Sequence, residues 1–314
     1  MFHCTPRCTK GSNSTLYVVT AISNPCRYAA RYDLYTKFAK MCEDAGAVLI
    51  TVEAAFGNRP HAITEANNSS HVQLRTNSEI WHKENLINLG IERLPQDWEY
   101  VAWIDADVQF SDPNWVNETL NQLQHYHVVQ MFSKAQDLGP KCEPFQTYNG
   151  FMYSYINSLQ DDKKDYTQWH PGFAWAARRD AIDYVGGLID VAILGAGDRH
   201  MAHALIGTVK KTIHSKLSQA YAQDLIMWES RAEKHIKRNV GYVPGLLLHH
   251  WHGKKRDRRY ADRWKIIINN NYDPRLDLKE DWQGLWQLTD RNFKLRDEIR
   301  AYFRARNEDS IDLD

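Results

Sequence analysis

Several common signatures are missing from this 314-residue chain. Its five cysteines, Cys4, Cys8, Cys26, Cys42 and Cys142, are scattered, odd in number and contain no Cys-x-x-Cys pair. That speaks against a zinc ribbon. No apolar run approaches the ~20 residues that span a bilayer, and the start of the chain lacks a basic-then-apolar leader. A soluble protein of a reducing cytoplasm, with no membrane partner, is therefore expected. Charge of neither sign dominates: Lys+Arg and Asp+Glu both number 39. Global charge thus singles out no partner, and only local clusters can. Nothing repeats at a fixed period, which excludes a solenoid. No glycine-rich phosphate-binding signature follows Thr20.

What is present describes a folded α/β chain. Hydrophobic residues make up 43% and charged residues 25%, so a sizeable core is expected rather than disorder. Leu16 to Ile22 reads as a strand, about Arg27 to Asp44 as a helix closed by Gly46, and Ala47 to Val52 as a parallel second strand reached by a right-handed crossover. Ala54 to Thr76 reads as a loop. Ser78 is placed as the cap of a helix over Glu79 to Leu89, with Gly90 at its end. The central stretch is Tyr100 to Phe110, YVAWIDADVQF, a buried strand ending at Asp105-Ala106-Asp107. Lys134 to Lys164 reads as loop, Trp169 to Ala176 as a turn and strand, and Ala220 to Arg238 as a helix. Tyr242 to Gly253 reads as one strand carrying His249, His250 and His252 at its end. A C-terminal helix covers Phe293 to Arg306, and the acidic tail from Glu308 to Asp314 is expected to fray.

The chemistry gathers at four places. In open α/β sheets, ligands bind beyond the carboxyl ends of the strands, where Asp105 and Asp107 stand. Extended residues at i and i+2 point the same way, so two carboxylates repel there unless a cation lies between them. Mg²⁺ or Mn²⁺ fits that demand, while the plainer reading is two aspartates capping a turn. Strand alternation puts His250 and His252 on one side and cannot choose between them as a further ligand. Lys254, Lys255 and Arg256 come at once after them and suit phosphate neutralisation, or simply form a solvated helix face. Asp198, after the small residues Gly195-Ala196-Gly197, suits a general base that takes a proton from an acceptor hydroxyl, or an N-cap. A metal and basic groups together suit a nucleoside diphosphate leaving group.

These pieces, in order, resemble a GT-A fold glycosyltransferase of the nucleotide-diphospho-sugar transferase type over roughly residues 16 to 265. The resemblance implies a Rossmann-like, mainly parallel mixed sheet flanked by helices, with a C-terminal helical element. It implies a flexible arm over 1–15, a donor half over 16–132, an acceptor half over 133–265 and a packing extension over 266–314. Asp105 and Asp107 would be the Asp-x-Asp that bridges metal to the diphosphate of a nucleotide-sugar donor, expected to be a UDP-sugar. His250, in His-x-x-Gly, would be the later ligand and His252 the fallback. Asp198 matches an acidic residue that serves as acceptor base in inverting members, though Asp198-Arg199-His200 lacks a second acid. Thr20, Ala21, Asn24 and Lys83 fall near the nucleotide by position. The wording WHKENLINL, HPGFAWAARR, GAGDRHMA and HHWHGKKRDRRY is also similar to transferases of tailed bacteriophages and large viruses. That likeness points to a host-cytoplasmic enzyme modifying hydroxymethylated DNA. The basic run Lys254 to Lys265 would favour that polyanion, and Trp169, His170 and Phe173 would line a pocket for an extruded base. A carbohydrate or other small acceptor is the alternative, followed by a nucleotidyltransferase or a non-enzymatic nucleic-acid-binding protein.

Overall fold

The computed structural model describes residues 14–160 and 167–312; most of the arm expected over 1–15 lies outside them. In chain order the elements are β1 (Leu16–Ser23), α1 (Ala29–Asp44), β2 (Val48–Phe56), β3 (His71–Thr76), α2 (Lys83–Ile91), β4 (Tyr100–Ile104), β5 (Val108–Phe110), α3 (Trp115–Leu123), β6 (Val128–Gln130), β7 (Lys134–Leu138), β8 (Pro144–Asn149) and α4 (Phe151–Ile156). Next come β9 (Ala174–Arg178), α5 (Arg179–Val185), α6 (Gly197–Leu205), α7 (Gln219–His235), β10 (Val240–Tyr242), β11 (Leu246–His249), α8 (Tyr260–Asn269), α9 (Pro274–Asp277), β12 (Leu278–Glu280), β13 (Trp286–Leu288) and α10 (Phe293–Ala305).

A seven-stranded sheet in the order β10-β6-β9-β4-β1-β2-β3 forms the centre. Its neighbours pair in parallel except β9, which runs antiparallel to both β4 and β6. This is the mainly parallel mixed sheet expected from the sequence. Alternation along β1 and β4 sends successive side chains to opposite faces. Val19, Val101 and Trp103 pack into one apolar cluster with α2, whereas Val18, Ala102 and Ile104 pack into a second with Phe38 of α1. Both faces are covered, which is why the strand sequences are apolar throughout.

A smaller sheet, β5-β11-β7-β8, lies beyond the carboxyl end of β4. The segments expected as loops contain its strands: β7 and β8 lie within 134–164, and β3 of the large sheet lies within 54–76. All three are short and largely polar, so their signal in sequence was thin. The single strand expected over Tyr242 to Gly253 is two strands in two sheets, broken at Gly245 with φ +151°. Helix α2 starts four residues later than expected, and Gly90 lies inside it rather than capping it. A Cβ on Gly90 would stand 2.5 Å from Val19 Cγ1 and 2.7 Å from Val52 Cγ2, so this glycine lets the helix press onto the sheet.

The start of the tail expected to fray is held; its last two residues lie outside the described ones. Glu308 is 1% exposed, and the Asp309 carboxylate accepts from the amides of Ala29 and Ala30 at the start of α1.

Candidate active site

The turn after β4 hands the chain from the large sheet to the small one. β5 begins at Val108, and Val108 pairs with His249 at the end of β11. That register sets Asp107 beside His249. The His250 amide then donates to the Asp107 carbonyl at 2.8 Å and the strand stops. The chain then turns, so that His252 comes back toward the same point, and Gly253, at φ +86°, redirects it after that residue. Asp107 Oδ2 lies 3.0 Å from His252 Nε2 and 3.8 Å from His249 Nε2, and the two Nε2 atoms are 3.2 Å apart. Asp107, His249 and His252 each offer one ligand atom, all within 4.8 Å of one another.

Two residues expected as ligands stand apart from this cluster. His250 is not in the cluster: the strand ends one residue before it, so alternation no longer applies, and His250 borders a groove with Lys37 and Met41. Asp105 is not in it either, because its Oδ1 is 2.5 Å from Lys83 Nζ. His249, with His252 beside it, is the histidine that lies next to Asp107.

A second layer of groups orients His249. Asp137 pairs with His249 in the β7–β11 register, and its Oδ1 lies 2.8 Å from His249 Nδ1. The other carboxylate oxygen accepts from Tyr148 Oη at 3.0 Å and is ion-paired with Lys255. A carboxylate on Nδ1 fixes the tautomer that leaves Nε2 for a ligand. Burial alone would lower His249, but the Asp107 and Asp137 carboxylates on either side raise it to about 9. His252 is lowered to about 4, first by burial and then by Arg258. Asp107 is held well below the usual carboxylate range, the histidines outweighing its burial.

Between β1, α1, α2 and the end of α10 lies a cavity of about 110 Å³ that opens on Asp105, Asp107 and His252. Ala21, Ser23, Arg31, Trp81, Lys83 and Arg306 line it. Of the residues placed near the nucleotide, Ala21 and Lys83 face this cavity. Thr20 does not: its hydroxyl donates to the Ile104 carbonyl at 2.8 Å, tying β1 to the end of β4. Asn24 is spent on the turn at Tyr28, although it borders a smaller cavity of about 90 Å³ with Glu53 and Tyr32. Of the basic trio, Lys255 is turned to Asp137 and Tyr148, Lys254 is buried, and Arg256 pairs with Asp257.

Asp198 stands in the first turn of α6, its Oδ1 accepting from the Arg199 amide. It shares a small cavity with Lys83, Glu84, Phe173 and Met201. The small residues before it make room for a neighbouring side chain: a Cβ on Gly197 would lie 2.8 Å from the Glu84 carboxyl. A Cβ on Gly172 would meet Asp198 Oδ2 at 2.9 Å and His170 Cε1 at 3.2 Å, so Asp198 and His170 flank that glycine. His170 stacks on Phe173 at 4.2 Å, and Phe173 lies 4.6 Å from the His249 ring. His170 and Phe173 thus connect Asp198 to the histidine cluster. Trp169 is turned away, edge-on to Phe151, with Nε1 donating to the Gln160 carbonyl.

Sequence reasoning missed Glu84, Asp137, Arg31, Arg306 and Glu308. Burial raises Glu84 to about 8; Lys83 opposes this, and Asp198 and Asp105 add to it. Asp137 and Glu308 carried no motif that could have flagged them.

The sequence matches no family model and no curated protein. Among solved structures, it is similar to the catalytic domain of Drosophila β1,4-galactosyltransferase 7 in complex with xylobiose, at 13% identity and TM-score 0.31. That match covers 60% of this chain and spans 59% of the galactosyltransferase chain. A mutant of the same enzyme, at 12% identity and TM-score 0.32, was solved with manganese, UDP-Gal and xylobiose. A protein of Desulfovibrio desulfuricans G20 assigned as a nucleotide-diphospho-sugar transferase is similar at 12% identity and TM-score 0.33 over 96% of this chain. These neighbours are nucleotide-sugar transferases, and none of the three is viral.

Proposed function

We propose that the protein is a metal-dependent glycosyltransferase that moves a sugar from a nucleoside diphosphate donor, with UDP as the leading nucleotide, to a hydroxyl acceptor. The observation that carries this reading is the convergence of Asp107, His249 and His252 at the mouth of a cavity lined by Lys83, Arg31 and Arg306. The donor set fits a divalent cation. Asp107 Oδ1 is buried without a hydrogen-bond partner, and two imidazole nitrogens face each other across 3.2 Å. One oxygen and two nitrogens suit Mn²⁺ better than Mg²⁺, which favours oxygen throughout. A bound ion would supply charge neutralisation to the diphosphate as it leaves.

The residues of the chain do the rest. Lys83 holds Asp105 and presents a cation to the donor side. In a single displacement, the bond from the anomeric carbon to the phosphate oxygen breaks and its electron pair goes to the diphosphate. The acceptor oxygen forms the new bond to carbon, and its proton passes to the Asp198 carboxylate. His170 and Phe173 border the space between Asp198 and the metal ligands. In this reading 16–132 is the donor half, 133–265 supplies the acceptor side, and the extension from 266 on brings Phe303 and Arg306 to the donor cavity.

A small or carbohydrate acceptor is favoured over DNA by the state of the basic run. Lys254 and Arg258 are buried, Lys255 pairs with Asp137, and Arg259 and Lys265 both pair with Asp262. Lys254, Lys255 and Arg258 are thus engaged by the fold itself, which leaves Arg256, Arg259 and Lys265 as the exposed part of the run. The test is thermal shift across nucleotide sugars with Mn²⁺, followed by transfer assays on sugar acceptors and on hydroxymethylated DNA. The true donor raises the melting temperature by mass action, and Asp107→Asn or EDTA abolishes both that shift and turnover. A donor-dependent shift that survives EDTA and Asp107→Asn refutes the reading.

A further inference from the structure

The cavity wall carries two guanidinium groups from opposite ends of the described chain. Arg31 comes from α1 and Arg306 from the residue after α10, and both line the cavity with Asp105, Asp107 and His252. A single carboxylate joins them. Glu308 accepts from Arg31 Nε at 2.5 Å and Nη2 at 2.8 Å, and from Arg306 Nε at 2.5 Å. Arg31 Nη1 also donates to the Ser23 carbonyl, and Arg306 lies over the Trp81 ring at 5.2 Å. Both forks are thereby fixed in direction. Two guanidiniums meet at one carboxylate, so these three groups together carry a net positive charge that an anionic guest can meet, in a lining where Lys83 is paired with Asp105.

The segment that delivers Arg306 and Glu308 is fastened. Tyr28 Oη donates to the carbonyls of Phe303 and Arg304, and Trp251 Nε1 donates to the Ser310 carbonyl at 2.7 Å. Gly253 packs so closely beneath it that a Cβ there would stand 2.7 Å from the Asn307 carbonyl oxygen. Glu308 Oε2 itself lies 3.9 Å from His252 Nδ1. The same carboxylate that aims the arginines therefore sits behind a member of the metal cluster.

We propose that Arg31 and Arg306, aimed by Glu308, form an anion-holding arm that grips a phosphate of the donor diphosphate in the cavity that also opens on Asp107 and His252. Segment 303–310 is then an integral wall of the donor site. The proposal rests on the metal-dependent transferase reading and adds to it the groups that hold the leaving diphosphate. Arginine suits the task because its planar guanidinium carries five N–H groups, more than the Glu308 carboxylate alone takes up.

The test is calorimetry of the full chain with Mn²⁺ alone, then with inorganic pyrophosphate at saturating Mn²⁺. Arg31→Gln and Arg306→Gln should each weaken pyrophosphate at least about tenfold while changing Mn²⁺ affinity less than about twofold. Should either Gln variant lose Mn²⁺ binding through misfolding, Arg31→Lys and Arg306→Lys decide. They keep the charge but not the fork, and should retain Mn²⁺ while weakening pyrophosphate at least about threefold. Pyrophosphate affinity equal to wild type in variants that still bind Mn²⁺ overturns the arm and leaves the metal site standing. Wild-type protein that binds neither Mn²⁺ nor pyrophosphate overturns the transferase reading itself.

Discussion

Asp137→Asn separates a metal-binding histidine from one that merely packs. Asp137 is 4% exposed and holds His249 Nδ1 at 2.8 Å, with Tyr148 and Lys255 on its other oxygen. Losing such an outer partner typically costs 10- to 100-fold in metal affinity, about 1.4 to 2.7 kcal/mol. A second effect runs the other way. His249, though buried, is raised to about 9 by Asp107 and Asp137, above the roughly 6.5 of an unfolded chain. Its protonated pairing therefore stabilises the metal-free fold fully below about pH 6.5, and that stability is lost as pH rises through about 9. The same proton must leave before Nε2 can ligate. At pH 7 only about one wild-type molecule in a hundred has a neutral His249, a handicap of about 2.7 kcal/mol at about 1.36 kcal/mol per pH unit. Wild-type Mn²⁺ affinity should thus rise about tenfold per pH unit from 6.5 toward 9. Asp137→Asn removes one of the raising carboxylates, so its curve should flatten at lower pH and sit below wild type at pH 8.5. The assay is free Mn²⁺ measured by electron paramagnetic resonance at several pH values. Superimposable wild-type and Asp137→Asn curves would show that His249 does not bind the metal through this pairing.

Three further outcomes hang on single side chains. Glu84→Gln should leave stability unchanged near pH 4 and raise the melting temperature above pH 8. The wild-type carboxyl, raised by burial from 4.5 to about 8, is penalised increasingly as pH climbs between those values. The gain has a ceiling of about 5 kcal/mol, read by thermal denaturation at pH 4, 6 and 9. Gly90→Ala should destabilise by about 1 to 3 kcal/mol, since its Cβ would drive into Val19 and Val52; an unchanged denaturant midpoint would contradict the tight helix–sheet contact. Tyr148→Phe removes one hydrogen bond to Asp137 but leaves the pairing with His249, so Mn²⁺ affinity should fall less than in Asp137→Asn. An equal fall would place the control in Tyr148 and not in the carboxylate.

The sequence disclosed the sheet more readily than the site. β1, β2 and β4 are buried on both faces, and their unbroken apolar runs announced this. β7 and β8 belong to a small sheet with an exposed face, and Phe145 in β8 is 56% exposed, so no core periodicity marked them. The Asp-x-Asp stretch drew attention to the right turn, yet it could not say that Lys83 takes Asp105 and leaves Asp107 to the histidines. Among the histidines, alternation presumes a strand that continues. The strand stops at His249, and the path of the chain beyond it is decided by a hydrogen bond between His250 and Asp107, which no local pattern encodes. Glu308 was the hardest to see. An acidic residue near the end of a chain normally stays in water, and only the arrival of Arg31 and Arg306 makes its burial tolerable.

The site's position comes from its being assembled at a junction. A metal held wholly within the large sheet would need ligands from neighbouring parallel strands, all aimed along one edge. Here Asp107 comes off the large sheet, whereas His249 and Asp137 are fixed to each other by the register of the small one. The three-residue turn 105–107 is the link that carries Asp107 from β4 to its place beside β11. A change in that turn should therefore alter metal geometry without unfolding either sheet. Lengthening it by one glycine after Ala106 should reduce Mn²⁺ affinity at least about tenfold, while the far-ultraviolet circular dichroism and the cooperativity of melting stay those of wild type. Retained Mn²⁺ affinity in that insertion would mean that the two histidines bind without Asp107, and that the junction between the sheets is not what forms the site.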